Sequence, residues 1–258
     1  MVRWNDSLAH FEACSVVGGV KGGWGSLESL VERLGCYHGE GYEVAENLRK
    51  KDRQLGAFWG YLKESYGANI KDRIALPRLL VNWGIQPWFK SVWNIDRVIL
   101  IDNQIWALEV KHKFPYFGQG HLRFGLNNGE TYLIRDLVGC GIKVLHAIIV
   151  KPYWNMDTGS SYLISNYTAR SKALVLGAVF GEGEIQEVLK RLDESSPVHT
   201  SVDGKSRLKF KAIPVTDFTP LSFLNNREEV AARIALLLRG ELIERCSDEQ
   251  LRALKIER

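Results

Sequence analysis

The sequence lacks several features that define common protein classes. No apolar run reaches the ~18 residues that a membrane-spanning helix needs. The N-terminus MVRWNDSLAHFEACS has no apolar core of the kind found in signal peptides. The phosphate-loop pattern G-x-x-x-x-G-K-[ST] is missing despite the glycines of GGVKGGWG, and there is no internal repeat. These absences predict a cytoplasmic protein without a P-loop.

Cysteine is scarce and scattered along the chain. No two of the four cysteines have the C-x-x-C spacing, so the sequence predicts reduced thiols rather than a zinc site or a disulfide framework. The four are Cys14, Cys36, Cys140 and Cys246.

The bulk composition is that of an ordinary globular protein. Of the 258 residues, 45% are hydrophobic and 25% are charged, which is enough for one large domain or one domain with an extension. The net charge of +4 permits a polyanionic partner, and a solvated basic surface explains it equally well.

The stretch WNIDRVILIDNQIWALEVKHK predicts a β-hairpin. A turn centred on Asp102-Asn103 pairs the strands outward and sets Asp96 opposite Glu109. Directly opposed residues project from the same face, with Cβ atoms ~5 Å apart. Lys111 is two residues past Glu109 and therefore shares that face. Two carboxylates and one ammonium are expected to meet at the open end of the hairpin.

This arrangement predicts a metal site. Two close carboxylates repel each other unless a positive charge lies between them, and hard oxygen ligands suit Mg²⁺. The alternative is a cross-strand salt-bridge cluster at a sheet edge, worth ~0–1 kcal/mol. The apolar segments VILI and IWAL favour central strands, and the same face is expected to contribute apolar residues to the core. These are Val98, Leu100, Ile105 and Ala107.

The rest of the chain predicts an α/β protein with a mixed sheet. A loop over 114–130 is followed by a helix over 131–138 and then by the buried strand VLHAIIV, a connection that favours parallel pairing. LKFKAIPV is typical of an edge strand, and 172–180 is either a strand or a short helix. Residues 1–25 are expected to be loosely structured. Helices are predicted at about 26–35, 41–66, 70–84 (interrupted near Pro77), 182–192, 227–239 and 247–254.

The spacing of Asp96 and Glu109-Val110-Lys111 resembles that of the PD-(D/E)xK nuclease superfamily. It is most similar to the nuclease-related-domain type, in which a Gly-Glu helix start, here at Gly39-Glu40 or Glu43, precedes the two strands. Ile95 stands where the superfamily's name implies proline, and the glutamine-plus-tyrosine helix motif of RecB-like members is not evident.

The resemblance implies a restriction-endonuclease-like core, a mixed central sheet flanked by helices. The expected organisation is a lead-in and helix over 1–39, the nuclease core over 40–152 and a C-terminal α/β extension over 153–258.

The resemblance also implies the hydrolysis of a nucleic-acid phosphodiester with Mg²⁺, for which Mn²⁺ substitutes. Asp96, Glu109 and the carbonyl of Val110 would be metal ligands, and Lys111 would orient or activate the water and stabilise developing negative charge. A helix carboxylate, taken as Glu43, would hold a second metal or a metal-bound water; Glu40, Glu46 and Glu64 are alternatives for that position. DNA is the expected substrate, in defence, mobile-element or repair processes, and a homodimer would cut both strands of a duplex.

Basic and polar residues around the hairpin are candidates for contacts with nucleic acid. Gln119, His121 and Arg123 are candidates for gripping phosphate, although each is also explained as a surface residue. Lys113 at the strand end is a further candidate, and Lys50 and Lys51 are on a predicted helix face. His146 is expected to be a core histidine, and the tryptophans before the hairpin are expected to pack rather than to stack on bases.

Two other readings remain open. In the first, the chain is a non-catalytic nucleic-acid-binding or assembly subunit that retains the nuclease fold. In the second, it is an unrelated metal-free α/β binding protein whose hairpin mimics the motif.

Overall fold

The structure is a computed structural model that divides into two compact units, Met1–Asn94 and Ile95–Arg258. It describes residues 1–35, 62–64, 66–89, 92–155, 158, 162–196 and 207–257. Most of the helix predicted over 41–66 lies outside these residues. In the described part of the chain, no helix combines the length and the apolar character needed to cross a membrane.

The first unit begins with β-structure rather than with the loosely structured segment predicted there. A three-stranded antiparallel sheet has the order β1-β2-β5, and β3 and β4 form a separate ribbon. The strands are β1 Val2–Asn5, β2 His10–Ala13, β3 Val16–Val17, β4 Val20–Lys21 and β5 Gly25–Ser26.

The helices of the first unit follow the predicted positions. Helix α1 spans Leu27–Leu34, within the predicted range 26–35, and Ser26 is its N-cap residue. A helical stretch over 71–85 contains α2, Leu76–Leu79, between two wide π turns, Lys71–Ala75 and Leu80–Ile85. Pro77 is the second residue of α2, and the chain is helical on both sides of it, directly after the first π turn.

The described residues of the second unit form two sheets. A five-stranded sheet has the order β14-β11-β10-β7-β6, and a four-stranded sheet has the order β12-β13-β9-β8. The strands are β6 Arg97–Ile101, β7 Gln104–Lys113, β8 Tyr116–Gly118, β9 His121–Asn127, β10 Lys143–Val150, β11 Leu174–Phe180, β12 Asp193–Ser195, β13 Lys209–Pro214 and β14 Thr219–Phe223. The α-helices are α3 Asn128–Gly139, α4 Tyr162–Ser165, α5 Tyr167–Ser171, α6 Glu182–Lys190, α7 Arg227–Leu238 and α8 Asp248–Leu254.

The mixed α/β class and the parallel pairing are confirmed. Strands β7 and β10 run parallel, while the other pairs in that sheet are antiparallel. The segment 172–180 forms a strand, and α6, α7 and α8 lie where helices were predicted. Two strands from the expected extension over 153–258, β11 and β14, belong to the same five-stranded sheet as the hairpin.

The hairpin register is confirmed at every paired position. Ile101 pairs with Gln104, and the ladder continues to Arg97 opposite Leu108, which makes Asp96 and Glu109 the next pair outward. Asp102 and Asn103 both have positive φ, 49° and 65°. A two-residue turn with this conformation matches the right-handed twist of the strands, and Asp and Asn adopt it readily.

The prediction of which hairpin face is buried is wrong. Strand β6 is at the edge of its sheet, and Val98, Leu100 and Ile105 are exposed. Only Ala107 of that apolar set is buried. The opposite face packs into the core through Ile99, Ile101 and Trp106. An apolar strand segment does not itself determine which of its faces another element covers.

Two other predictions about strands are also wrong. The segment predicted as a loop forms β8, β9 and the start of α3; its tight turn has Gln119 and Gly120 at φ 50° and 84°. Strand β13, predicted at an edge, lies between β12 and β9, and Pro214 is its last residue.

The main core fills the space between the two sheets. Fully buried there are Phe124 of β9, Ile148 of β10, and Phe218, which precedes β14. Helices α3 and α6 contribute Ile134 and Ile185. A second cluster on the other face of the five-stranded sheet is covered by α7. The candidate site is on the face of the five-stranded sheet that packs against the main core, where β7 extends beyond the end of β6.

Candidate functional site

Asp96 lies where the ladder between β6 and β7 ends. Its Oδ2 atom accepts a hydrogen bond of 2.8 Å from the backbone N–H of Val110. The side chain thus takes the place of the main-chain acceptor that a further residue of β6 would supply. This contact fixes Asp96 next to the strand segment that contains Glu109 and Lys111.

The same contact orients the carbonyl of Val110. In a β-strand, the N–H and C=O of one residue point to the same side, as the paired exchange of bonds in an antiparallel ladder requires. Because the Val110 N–H points toward Asp96, its carbonyl also opens toward that side. The backbone carbonyl predicted as a metal ligand therefore lies on the side of the strand that faces Asp96.

Lys111 lies among acidic side chains. Its ammonium donates to Oε1 of Glu109, and it is 3.7 Å from Oε1 of Glu130. Burial lowers the pKa of Lys111, but the negative charges of Glu130, Glu109 and Asp96 outweigh burial and hold that pKa above its usual value. Lys111 is therefore a cation at neutral pH.

Glu130 is a member of the site that the sequence analysis missed. It is in the first turn of α3, its side chain is 2% exposed, and neither carboxylate oxygen has a hydrogen-bond partner in the described part of the chain. Burial raises the pKa of this carboxyl, while the charges of Lys113 and Lys111 act in the opposite direction. The predicted helix start at Thr131 excluded this residue.

A sequence signal for Glu130 does exist. Asn127 is the N-cap residue of α3, and a Glu follows it at the third helical position, the spacing of a capping box. That pattern places the helix start before Asn128 and the glutamate in the first turn.

His146 and Lys113 complete the buried part of the site. His146 pairs with Glu109 across β10 and β7, and its Nδ1 is 3.4 Å from Glu130 Oε1 without hydrogen-bond geometry. The Lys113 ammonium is bound by the carbonyl of Gly125 on β9, and burial lowers its pKa. His146 is a core residue, as predicted, and it borders the charged cluster.

The residues present fit a divalent cation held by few protein ligands. Among the described residues, no group of three or more His, Cys, Asp or Glu side chains could hold a metal ion. Mg²⁺ is usually bound by one or two carboxylates together with water and substrate phosphate. Asp96 and Glu109 each use one carboxylate oxygen in the contacts described above, so one oxygen of each, with the Val110 carbonyl, suits such a site.

The other predicted site residues are distributed differently. Glu43, Lys50 and Lys51, and the alternatives Glu40 and Glu46, lie outside the described residues; Glu64 is exposed in the first unit. Lys113 is half-buried, with its ammonium on the carbonyl of Gly125, instead of lying at a solvated strand end.

The proposed gripping residues belong to the β8–β9 hairpin, not to a loop. Arg123 is buried, with contacts to Glu194 and Gln119, so it has a structural role in place of an open phosphate contact. Gln119 and His121 are exposed at the turn.

The buried histidine gives the fold a dependence on pH. Burial and the charges of Lys113 and Lys111 hold the pKa of His146 well below its usual value. The unfolded chain protonates this histidine near pH ~6.5 and binds more protons than the folded state below that pH, so the free energy of unfolding falls as the pH falls. Glu130 has the opposite sign, because its raised pKa stabilises the folded state at low pH and this contribution is lost as the pH rises.

Below pH ~6.5, we expect the wild type to lose ~1.4 kcal/mol of free energy of unfolding per pH unit relative to His146→Leu, which has no histidine to protonate at this position. Urea unfolding at pH ~7 and pH ~5.5 measures it. Parallel profiles for the two proteins would contradict a neutral buried His146.

Comparison with known proteins gives no match. No protein-family model, no curated protein and no solved structure is significantly similar to this chain.

Proposed function

We propose that the chain is a metal-dependent nuclease with a restriction-endonuclease-like core, and that it acts as an endonuclease on DNA. The observation that carries this proposal is the contact between the Asp96 carboxylate and the Val110 N–H, beside the contact between Glu109 and Lys111. These residues are the acidic pair and the lysine of the PD-(D/E)xK pattern.

The roles of the residues follow from their positions. Asp96, Glu109 and the Val110 carbonyl would hold Mg²⁺, or Mn²⁺ in its place. When bound, the cation neutralises the phosphodiester and lowers the pKa of the attacking water. The Lys111 ammonium stabilises negative charge that develops on the phosphate, and its neighbouring carboxylates keep it protonated for that purpose.

The wider setting of the activity is part of the same proposal. The positive net charge is compatible with a DNA partner, and defence, mobile-element or repair processes would use such a cut. One site cuts one strand, so a homodimer is proposed for cutting both strands of a duplex. The proposed location is the cytoplasm.

Cleavage of matched oligonucleotides tests the proposal and its substrate. Single-stranded DNA, duplex DNA and RNA of one sequence would be incubated with Mg²⁺, Mn²⁺ or EDTA. We expect internal cuts in DNA with either metal and none with EDTA. Cutting of RNA alone would reject DNA as the substrate, and cutting in EDTA would reject a metal mechanism.

A non-catalytic nucleic-acid-binding subunit is the second candidate. It is favoured by the contact between Lys111 and Glu109, which neutralises that carboxylate without a metal. Calorimetry with Mg²⁺ and Mn²⁺ separates the two functions. Binding that Asp96→Ala abolishes supports the nuclease, and no binding by the wild type supports the subunit.

A further inference from the structure

We infer that Glu130 is a positioning residue that fixes the Lys111 ammonium beside Glu109. This inference rests on the proposed nuclease function and adds a residue that the D…E-x-K pattern does not contain. Lys111 lies between two carboxylates, in contact with Glu109 and 3.7 Å from Glu130 Oε1.

A lysine at this place needs such an anchor. Its charge is at the end of a flexible four-carbon side chain, so it adopts many rotamers unless a second contact restrains it. Glu109 is itself a proposed metal ligand, and a carboxylate that holds a cation attracts the ammonium less strongly. Glu130 is the buried carboxylate that stays available to Lys111 when Glu109 is otherwise engaged.

The position of Glu130 is itself fixed by the fold. Glu130 is in the first turn of α3, where the Thr131 hydroxyl donates a hydrogen bond to the carbonyl of Asn127. The charge of Lys113 acts on Glu130 from the buried side, and the carbonyl of Gly125 holds that lysine in place. Glu130 is therefore a buried carboxylate on which the charge of Lys113 acts and from which the Lys111 ammonium is 3.7 Å away.

Stability alone does not account for this cluster. A buried ion pair often contributes no more than apolar residues of the same volume would. Both oxygens of Glu130 and Nδ1 of His146 lack hydrogen-bond partners in the described part of the chain, which makes their burial costly. Costly buried charges beside a candidate centre are the arrangement expected when one group orients another.

The test is a double-mutant cycle on cleavage with Mg²⁺, using Glu130→Gln, Lys111→Met and both together. We expect Glu130→Gln to lower kcat by about 10- to 100-fold with little change in KM, the usual cost of removing a supporting partner. In the Lys111→Met background the same change should have an effect of less than about twofold, because Glu130 acts through Lys111. If the double variant instead lost kcat by the product of the two single losses, the inference would be overturned while the nuclease function stands.

Glu184→Gln is the matched control. Glu184 is also in the first turn of a helix of the second unit, where it accepts from the N–H of Gly181 at an exposed site. Its cleavage rate should stay within about twofold of the wild type. A loss as large as that of Glu130→Gln would indicate a general effect of neutralising an acid at a helix start and would reject the specific role.

An unfolding cycle on the same variants gives a result that does not depend on activity. We expect the unfolding equilibrium constants to show coupling of at least about fivefold between the two positions. Coupling without any cleavage by the wild type would reject both the function and the positioning role, and leave a structural ion pair. Cleavage without coupling would reject only the contact between Glu130 and Lys111.

Discussion

Lys111→Ala is expected to lower the rate of cleavage about 100- to 1000-fold, the usual cost of removing one charged donor to a developing negative charge. The physical reason is that the ammonium lies beside Glu109 and stays protonated among three acidic neighbours. Metal affinity should not fall, because the proposed ligands Asp96, Glu109 and Val110 remain and Glu109 loses a competing cation. Single-turnover cleavage with Mg²⁺, together with calorimetry, measures both quantities.

Lys143→Ala controls for the loss of one positive charge. Lys143 is at the exposed start of β10, where its ammonium lies over the ring of Trp106. It should retain the wild-type rate within a few-fold. Because Lys111→Ala also removes most of a half-buried side chain, Lys111→Met serves as a second variant of similar length. Undiminished cleavage by both Lys111 variants would remove the lysine from the mechanism.

Phe218→Ala is expected to lower the free energy of unfolding by about 3–5 kcal/mol, the usual cost of truncating a fully buried phenylalanine. Its side chain is completely buried, and its ring is 5.4 Å from that of Phe124, edge to face. It also lies 6.4 Å from the ring of His146, at the base of the candidate site. Urea unfolding measures the effect.

Phe117→Ala is the matched control for the core substitution. Phe117 is in β8 with 63% of its surface exposed, and Arg252 lies over its ring. Its truncation should cost less than about 1 kcal/mol. Equal losses for the two variants would contradict the placement of Phe218 in the core between the two sheets.

The sequence predicted the hairpin well because local features determine it. The Asp102-Asn103 turn fixes the register, and the alternation of side chains then brings Asp96, Glu109 and Lys111 together. The parallel pairing of β7 with β10 followed from the buried run of β10 and the helix before it.

Which face of each strand is buried could not be predicted in the same way. Val98 and Leu100 are as apolar as a core strand requires, yet they are exposed at a sheet edge, because tertiary packing decides which face is buried. The glycines of the β8–β9 turn led to a loop prediction for a segment that forms two strands. Glu130 was missed because the helix was predicted to start at Thr131, and its proximity to Lys111, which is distant in sequence, depends on tertiary packing.

The most direct test of the account is cleavage of a supercoiled plasmid by the wild type and by Glu109→Ala, each with Mg²⁺, Mn²⁺ or EDTA. The account predicts nicked or linear DNA with either metal for the wild type, and intact plasmid for the variant and for EDTA. Equal cleavage by both proteins, or none by the wild type with any metal, would contradict the proposed nuclease.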